Sequence, residues 1–191
     1  MSLTENKRKS LHPLYIMFTV IMWFLVIGWL AVIFSLSSET AELSGSRSHD
    51  LVEMLYDRFH IVVTDHFIRK FAHIFEYIVL SSLSYVAMFA TNHVQDRPYL
   101  SENKVIERFK SDNEIYIAVA LWITALSAAA DEYYQIFVSG RCASLFDVFL
   151  DLSGAFVLMM IIRIVASIWA FVKIKKLDDD LIPTNPRAKE E

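Results

Sequence analysis

Two groups of polar residues interrupt runs that are otherwise apolar, and they hold most of the chemistry this chain can offer. Lys70, His73, Glu76 and Tyr77 recur at short helical spacings inside one such run. At about 100° per residue they fall within roughly 120° of arc on a helix. The second group is Asp131, Glu132, Gln135, Gly140, Arg141, Ser144, Asp147 and Asp151. A histidine that titrates near neutrality beside a carboxylate suits general acid or base work. In an enzyme, His73 or Glu76 would activate water, and Asp131 and Glu132 would supply the second acid or base. Arg141, following Gly140 in a tight turn, can grip a phosphate or carboxylate with two parallel hydrogen bonds. Lys70 would help orient the same anion, with Tyr77, Gln135, Ser144, Asp147 and Asp151 along the substrate. Asp131, Glu132, Asp147 and Asp151 also carry the oxygen ligands a divalent cation takes, although no fixed metal motif accompanies them.

The same residues admit a structural reading. Lys70 and Arg141 could neutralise Glu76 and Asp147, stapling helices together with ion pairs that barely break even against apolar packing. For any one pair, glue and function stand level. For the whole group, function gains, because packing alone does not require so many costly residues at one level.

The elements that must position these residues are membrane spans. Apolar residues make up 55% of the 191-residue chain, and mean hydropathy is +0.39, above the roughly 45–50% apolar content of soluble domains. The net charge of −4 leaves no basic footprint for nucleic acid. The lone cysteine, Cys142, excludes an internal disulfide. Leu14 to Phe34 is free of charge and long enough to cross about 30 Å of hydrocarbon. It exceeds the length of a signal-peptide core, so it reads as a retained anchor. Further spans are expected over 71–90, 115–130 and 145–172. Ala125, Ser127, Ala128, Ala129 and Ala130 in the third are small enough for close helix contact.

Between the spans, Leu51, Leu55 and Phe59 recur every fourth residue, predicting a short amphipathic helix in the 35–70 segment. Asp50 and Glu53 stand at capping-box spacing there, and such a helix would lie on the membrane surface. Val105, Ile106 and Phe109 predict a second surface helix in the 91–114 loop. The expected organisation is an all-α membrane protein: a basic N-terminus over 1–13, a four-helix transmembrane domain over 14–172, and a disordered tail over 173–191. Lysine and arginine number three before the first span, four in 91–114 and five in the tail, against four in 35–70 and one in 131–146. That bias predicts cytoplasmic N- and C-termini. Both polar groups then converge on the outer leaflet, leaving Arg163 to snorkel at the cytoplasmic side.

At these residues the sequence resembles the VanZ-like family of bacterial membrane proteins. One block is Ile33-Phe34-Ser35 with Ser37, Ser38, Ser44 and Ser48. A second runs from Arg69 through Lys70, His73, Glu76 and Tyr77 to Leu80. The third links Asp131, Glu132, Gln135, Phe137, Gly140, Arg141, Ser144, Asp147, Val148, Asp151 and Gly154. Ser139 stands where the family often has proline, and Leu158 where a further glycine is frequent, departures that imply a looser turn and a less closely packed fourth helix. The resemblance implies a multi-pass cell-envelope protein, linked in some members to teicoplanin and other glycopeptide or lipoglycopeptide resistance.

Two classes of function follow, with a third behind them. The first is a hydrolase or transferase acting at the outer leaflet on a membrane lipid, or on a lipid-linked or cell-wall anionic headgroup. The second is a non-catalytic module that binds such a lipid or a lipophilic antibiotic. The third is a small proton-coupled transporter using an acid–histidine relay. The absence of an inverted repeat counts against it. Oligomeric state and any cation cofactor are left open by the sequence.

Overall fold

The computed structural model describes residues 11–95 and 101–181, with side chains as far as Leu177. The basic residues Lys7, Arg8 and Lys9 and the tail beyond 181 lie outside the described residues. Five helices account for the described chain: α1 (Pro13–Ser37), α2 (Ala41–Phe59), α3 (Asp65–Asn92), α4 (Glu102–Gln135) and α5 (Leu145–Leu181). Four of them, all but α2, are long and apolar enough to cross a membrane. The protein is a multi-pass, all-helical membrane protein.

Each span runs past the limits expected from hydropathy because polar termini continue the same helix. α1 begins with Pro13 in its first turn, where a missing N–H is harmless. The expected surface helix in 91–114 is helical, but it forms the opening turns of α4. No glycine or proline interrupts 102–135, so nothing separates it from the span. α5 likewise continues to Leu181, overturning the expected disorder over 173–181. α2 starts earlier than expected. Its cap is Thr40, whose hydroxyl accepts the Leu43 N–H at 3.4 Å, so Asp50 and Glu53 lie mid-helix and cap nothing. Polar Ser44 and Ser48 on its buried face hid this first half from an apolar pattern. α2 ends at His60, in the left-handed region at φ 54°, whose N–H returns to Tyr56 O at 2.8 Å.

α3 is the central element and packs against all four other helices. Tyr77, Leu80 and Ala87 on α3 meet Met22, Val26 and Ile33 of α1 and Ala128 of α4. On α4, Ala120, Thr124 and Ala128 form a fully buried stripe at spacings of four, whereas Ala129 and Ala130 are exposed. Small residues there let the backbones approach. Trp29 of α1 donates its indole N–H to Glu76 O at 2.9 Å, fixing the height of α1 against α3. Away from these contacts, Phe24, Ile27, Trp122, Leu126, Phe156 and Phe171 stand exposed, the composition of a lipid-facing surface.

The opposite ends of the bundle are distinguishable. His12 N–H bonds to Val94 O at 3.0 Å, and Phe109 meets Trp169 edge-on with ring centroids 4.8 Å apart. The start of α1, the α3–α4 connection and the end of α5 therefore share one end. Arg163 is paired rather than merely snorkelling: its Nε donates to Glu114 Oε1 at 2.8 Å.

The fourth span is not loosely packed where Gly154 crosses α3. A Cβ there would lie 2.5 Å from Ile74 Cγ2 and 2.9 Å from Ile78. Leu158, the other departure from the family pattern, packs against the small cluster of Ile117, Ala120 and Met159. Alanine would improve helix propensity at 154 by about 1 kcal/mol. The branched Ile74 is stiff at χ1, so overpacking at about 1–3 kcal/mol should win. Gly154→Ala is therefore expected to lower the unfolding temperature of the detergent-solubilised protein. Adding Ile74→Ala should recover part of that loss, and additive losses would show that the α3–α5 crossing is not the cause.

Candidate functional site

At the end of the bundle opposite that shared end, the starts of α2, α3 and α5 meet the end of α4 around a cleft of about 230 Å³, and the end of α1 walls a smaller chamber beside it. Lys70 and His73 reach it from α3, Glu132 and Gln135 from α4, and Asp147 and Asp151 from α5, with Gly140 and Arg141 contributed by the intervening turn. The two polar groups of the sequence thus come together in one place. Four predicted residues do not line it. Glu76 faces a smaller adjoining chamber of about 50 Å³. Tyr77 is fully buried in the apolar core. Ser144 contributes its backbone, not its hydroxyl: Glu132 Oε2 accepts the Ser144 N–H at 2.9 Å. Asp131 is fully buried beneath the cleft.

Several of the charges are committed to one another. Lys70 pairs with Asp147 across the α3–α5 contact, each side chain about a quarter exposed. Gln135 donates to Asp131 Oδ2 at 3.0 Å, one turn along α4. The turn itself depends on Gly140, at φ +75°, a conformation glycine adopts without penalty. A Cβ there would also approach Ala41 Cβ to 3.0 Å. Ser139 O accepts the Ala41 N–H at 3.3 Å, tying the turn to the start of α2. Arg141 Nη2 reaches Leu36 O at 3.4 Å, a long and weak bond. Burial pushes the Arg141 guanidinium below its ordinary value, with Asp131 opposing the shift and Arg69 and Arg47 adding to it.

Other groups are buried and left without hydrogen-bond partners among the described residues. His73 Nδ1 and Glu76 Oε2 approach to 3.5 Å, but without hydrogen-bond geometry, and both remain unpartnered. Asp131 Oδ1 and the Tyr77 hydroxyl are in the same condition. The Ser37 hydroxyl sits close to the Asp131 carboxylate yet also lacks hydrogen-bond geometry. Buried polar atoms are nearly always satisfied, and exceptions gather where a ligand, water or reaction uses them.

Among the described residues, no three histidine, cysteine, aspartate or glutamate side chains converge closely enough to hold a metal ion. Three of the four carboxylates considered for a cation have partners of their own: Lys70 takes Asp147, the Ser144 N–H takes Glu132 and Gln135 takes Asp131.

Sequence reading missed part of the wall. Arg69 lines both cavities, and Arg47, Ser44 and Ser48 line the smaller one with Arg141, His73 and Glu76. Arg47 is held by Glu39, with nitrogen to oxygen distances of 2.6 and 2.8 Å. The available signal was the run of serines at 37, 44 and 48, unusual on a helix face that is buried.

Searches of curated proteins and of solved structures return no match. Comparison with known families matches residues 22–166 to VanZ/LLP1. That span contains all four membrane-crossing segments in whole or large part, and every residue of the cleft. The chain belongs to the VanZ/LLP1 family.

Proposed function

We propose that this protein lies in the cell membrane with both termini in the cytoplasm and its cleft at the outer leaflet. There it acts on, or recognises, an anionic headgroup of a phospholipid, a lipid-linked precursor or a cell-wall polymer. The orientation rests on the excess of lysine and arginine in segments at the other end. The observation that carries the reading is the set of buried, unpartnered polar atoms on His73, Glu76 and Asp131 beneath a cleft edged by Arg69, Lys70 and Arg141. Such atoms lower stability unless something uses them.

In the catalytic form of this reading, the protein is a hydrolase or transferase. His73 and Glu76 move the proton of an attacking water or hydroxyl, and Asp131 serves as the second acid or base. Glu132 and the Lys70–Asp147 pair hold the frame. The cations orient the headgroup, and burial excludes bulk water, which strengthens each charge–dipole contact.

Purified protein in detergent, incubated with phospholipids, polyprenyl phosphates and lipid-linked wall precursors, should convert one class to a product seen by mass spectrometry. Glu76→Gln, His73→Asn and Asp131→Asn should each reduce that turnover by about 10²–10⁴-fold. If instead no class turns over while one binds, and the variants weaken binding only by about one hydrogen bond, the protein is a recognition module. Lys70→Met or Asp147→Asn should lower stability by roughly 1–3 kcal/mol, between the exposed and buried limits for an ion pair. The reversed pair Lys70→Asp with Asp147→Lys should recover part of the loss in a chemical unfolding series. Expression in a teicoplanin-susceptible host should raise the inhibitory concentration, and Asp131→Asn should abolish the rise. An unchanged concentration for the wild-type chain would remove the resistance role.

A further inference from the structure

The charges around the site are segregated. The larger cleft carries the carboxylates Glu132, Asp147 and Asp151, the second already paired with Lys70. The small chamber beside it is walled by Arg47 of α2, Arg69 of α3 and Arg141 of the α4–α5 turn, against one carboxylate, Glu76. Three arginines from three separate elements thus line about 50 Å³. Like charges gathered at a partly buried site repel, and the packing of three segments holds the half-buried Arg69 and Arg141 beside the exposed Arg47.

Their commitments are unequal. Arg47 is paired with Glu39, and Arg141 has only the long bond to Leu36 O. Arg69 is half-buried and, among the described residues, makes no hydrogen bond or ion pair. Arg69 and Arg141 face both cavities, and His73 stands at the junction between them. Ser44, whose side chain is buried, adds a hydroxyl to the chamber wall.

We infer that the small chamber is a phosphoryl-binding subsite in which Arg69, Arg141 and Arg47 grip the oxygens of a phosphate group whose organic substituent extends past His73 into the acid-lined cleft. This rests on the anionic-headgroup reading above and specifies its chemistry. Phosphate is favoured over carboxylate by geometry: guanidinium groups arriving from three directions match a tetrahedral anion with three exposed oxygens, whereas a planar carboxylate is filled by one or two forks. The chamber is also too small for more than one such group. The acidic cleft then suits a substituent rich in hydroxyl or amine donors. A phosphorylated lipid and free phosphate present the same group to the chamber.

The test uses the full chain in detergent micelles and native mass spectrometry with lipids of matched acyl chains. The probes are phosphatidic acid, a diacylglycerol hemisuccinate of carboxylate charge, and diacylglycerol. Phosphatidic acid should bind at least about tenfold more tightly than the hemisuccinate, the discrimination of roughly one charge-assisted hydrogen bond. Inorganic phosphate alone should compete in the millimolar range if the chamber needs no lipid tail, and leave binding unaltered if the tail is required. Either result supports the phosphoryl assignment while identifying its source. Arg69→Gln should erase the preference, and Arg69→Lys should restore only part of it. Because Arg69 has no partner to lose, its removal should leave the unfolding temperature of the lipid-free protein unchanged or higher. Equal binding of phosphatidic acid and hemisuccinate, both above diacylglycerol, would overturn the phosphoryl assignment and leave the anionic reading intact. No discrimination of either from diacylglycerol would overturn both. A preference that survives Arg69→Gln would overturn the placement in this chamber.

Discussion

A carboxylate inside an apolar bundle must find donors or cations, and this demand ties the turn between α4 and α5 to the rest of the molecule. Glu132 accepts the backbone N–H of Ser144 and so sets where α5 begins. That start places Asp147 against Lys70 of α3 and brings Asp151 to the wall of the cleft. Gly140 permits the reversal, and the Ser139 carbonyl holds it to α2. A buried charge without its partner is strongly destabilising, so the turn is specified by electrostatics as much as by chain length.

The central position of α3 follows from the same logic. It carries Lys70 and His73 toward α4, α5 and the turn, Glu76 toward the chamber it shares with α2, and Tyr77, Leu80 and Ala87 deeper in the bundle. One helix therefore changes from polar to apolar partners along its length. Trp29 meets it where the change occurs, bonding to the Glu76 carbonyl. The indole N–H needs a buried acceptor, and a carbonyl in mid-helix that accepts a second donor supplies one without breaking the helix.

Much of this was legible in the sequence. The four spans came from unbroken apolar runs, and the convergence of Lys70, His73, Asp147 and Asp151 followed from helical spacing together with the order of the spans. What was not legible has physical reasons. Helix ends are set by capping and by breakers rather than by hydropathy. The opening turns of α4 and the far end of α5 were therefore read as separate or unstructured, although no proline or glycine separates them from the spans they continue. The first half of α2 buries serines, which an apolar periodicity does not register. Arg69 and Arg47 look like ordinary interfacial cations in the sequence. Their facing one chamber depends on how α2 folds back onto α3, a long-range arrangement that local pattern does not encode. Nor does local pattern encode the contact between Ser144 and Glu132, which fixes the start of α5.

The lengths of the helices are unequal, and this has a consequence for shape. At about 1.5 Å per residue, the 25 residues of α1 extend roughly 37 Å, while the 34 of α4 and 37 of α5 extend roughly 51 and 55 Å. A hydrocarbon layer of about 30 Å accommodates the first and not the other two. Phe109 against Trp169 and Glu114 with Arg163 keep α4 and α5 together at the end away from the cleft. The pair must tilt or emerge there as a two-helix stalk, and a mechanical load applied to that stalk would act along α5 on Gly154, where it crosses α3, and on Asp151 at the wall of the cleft.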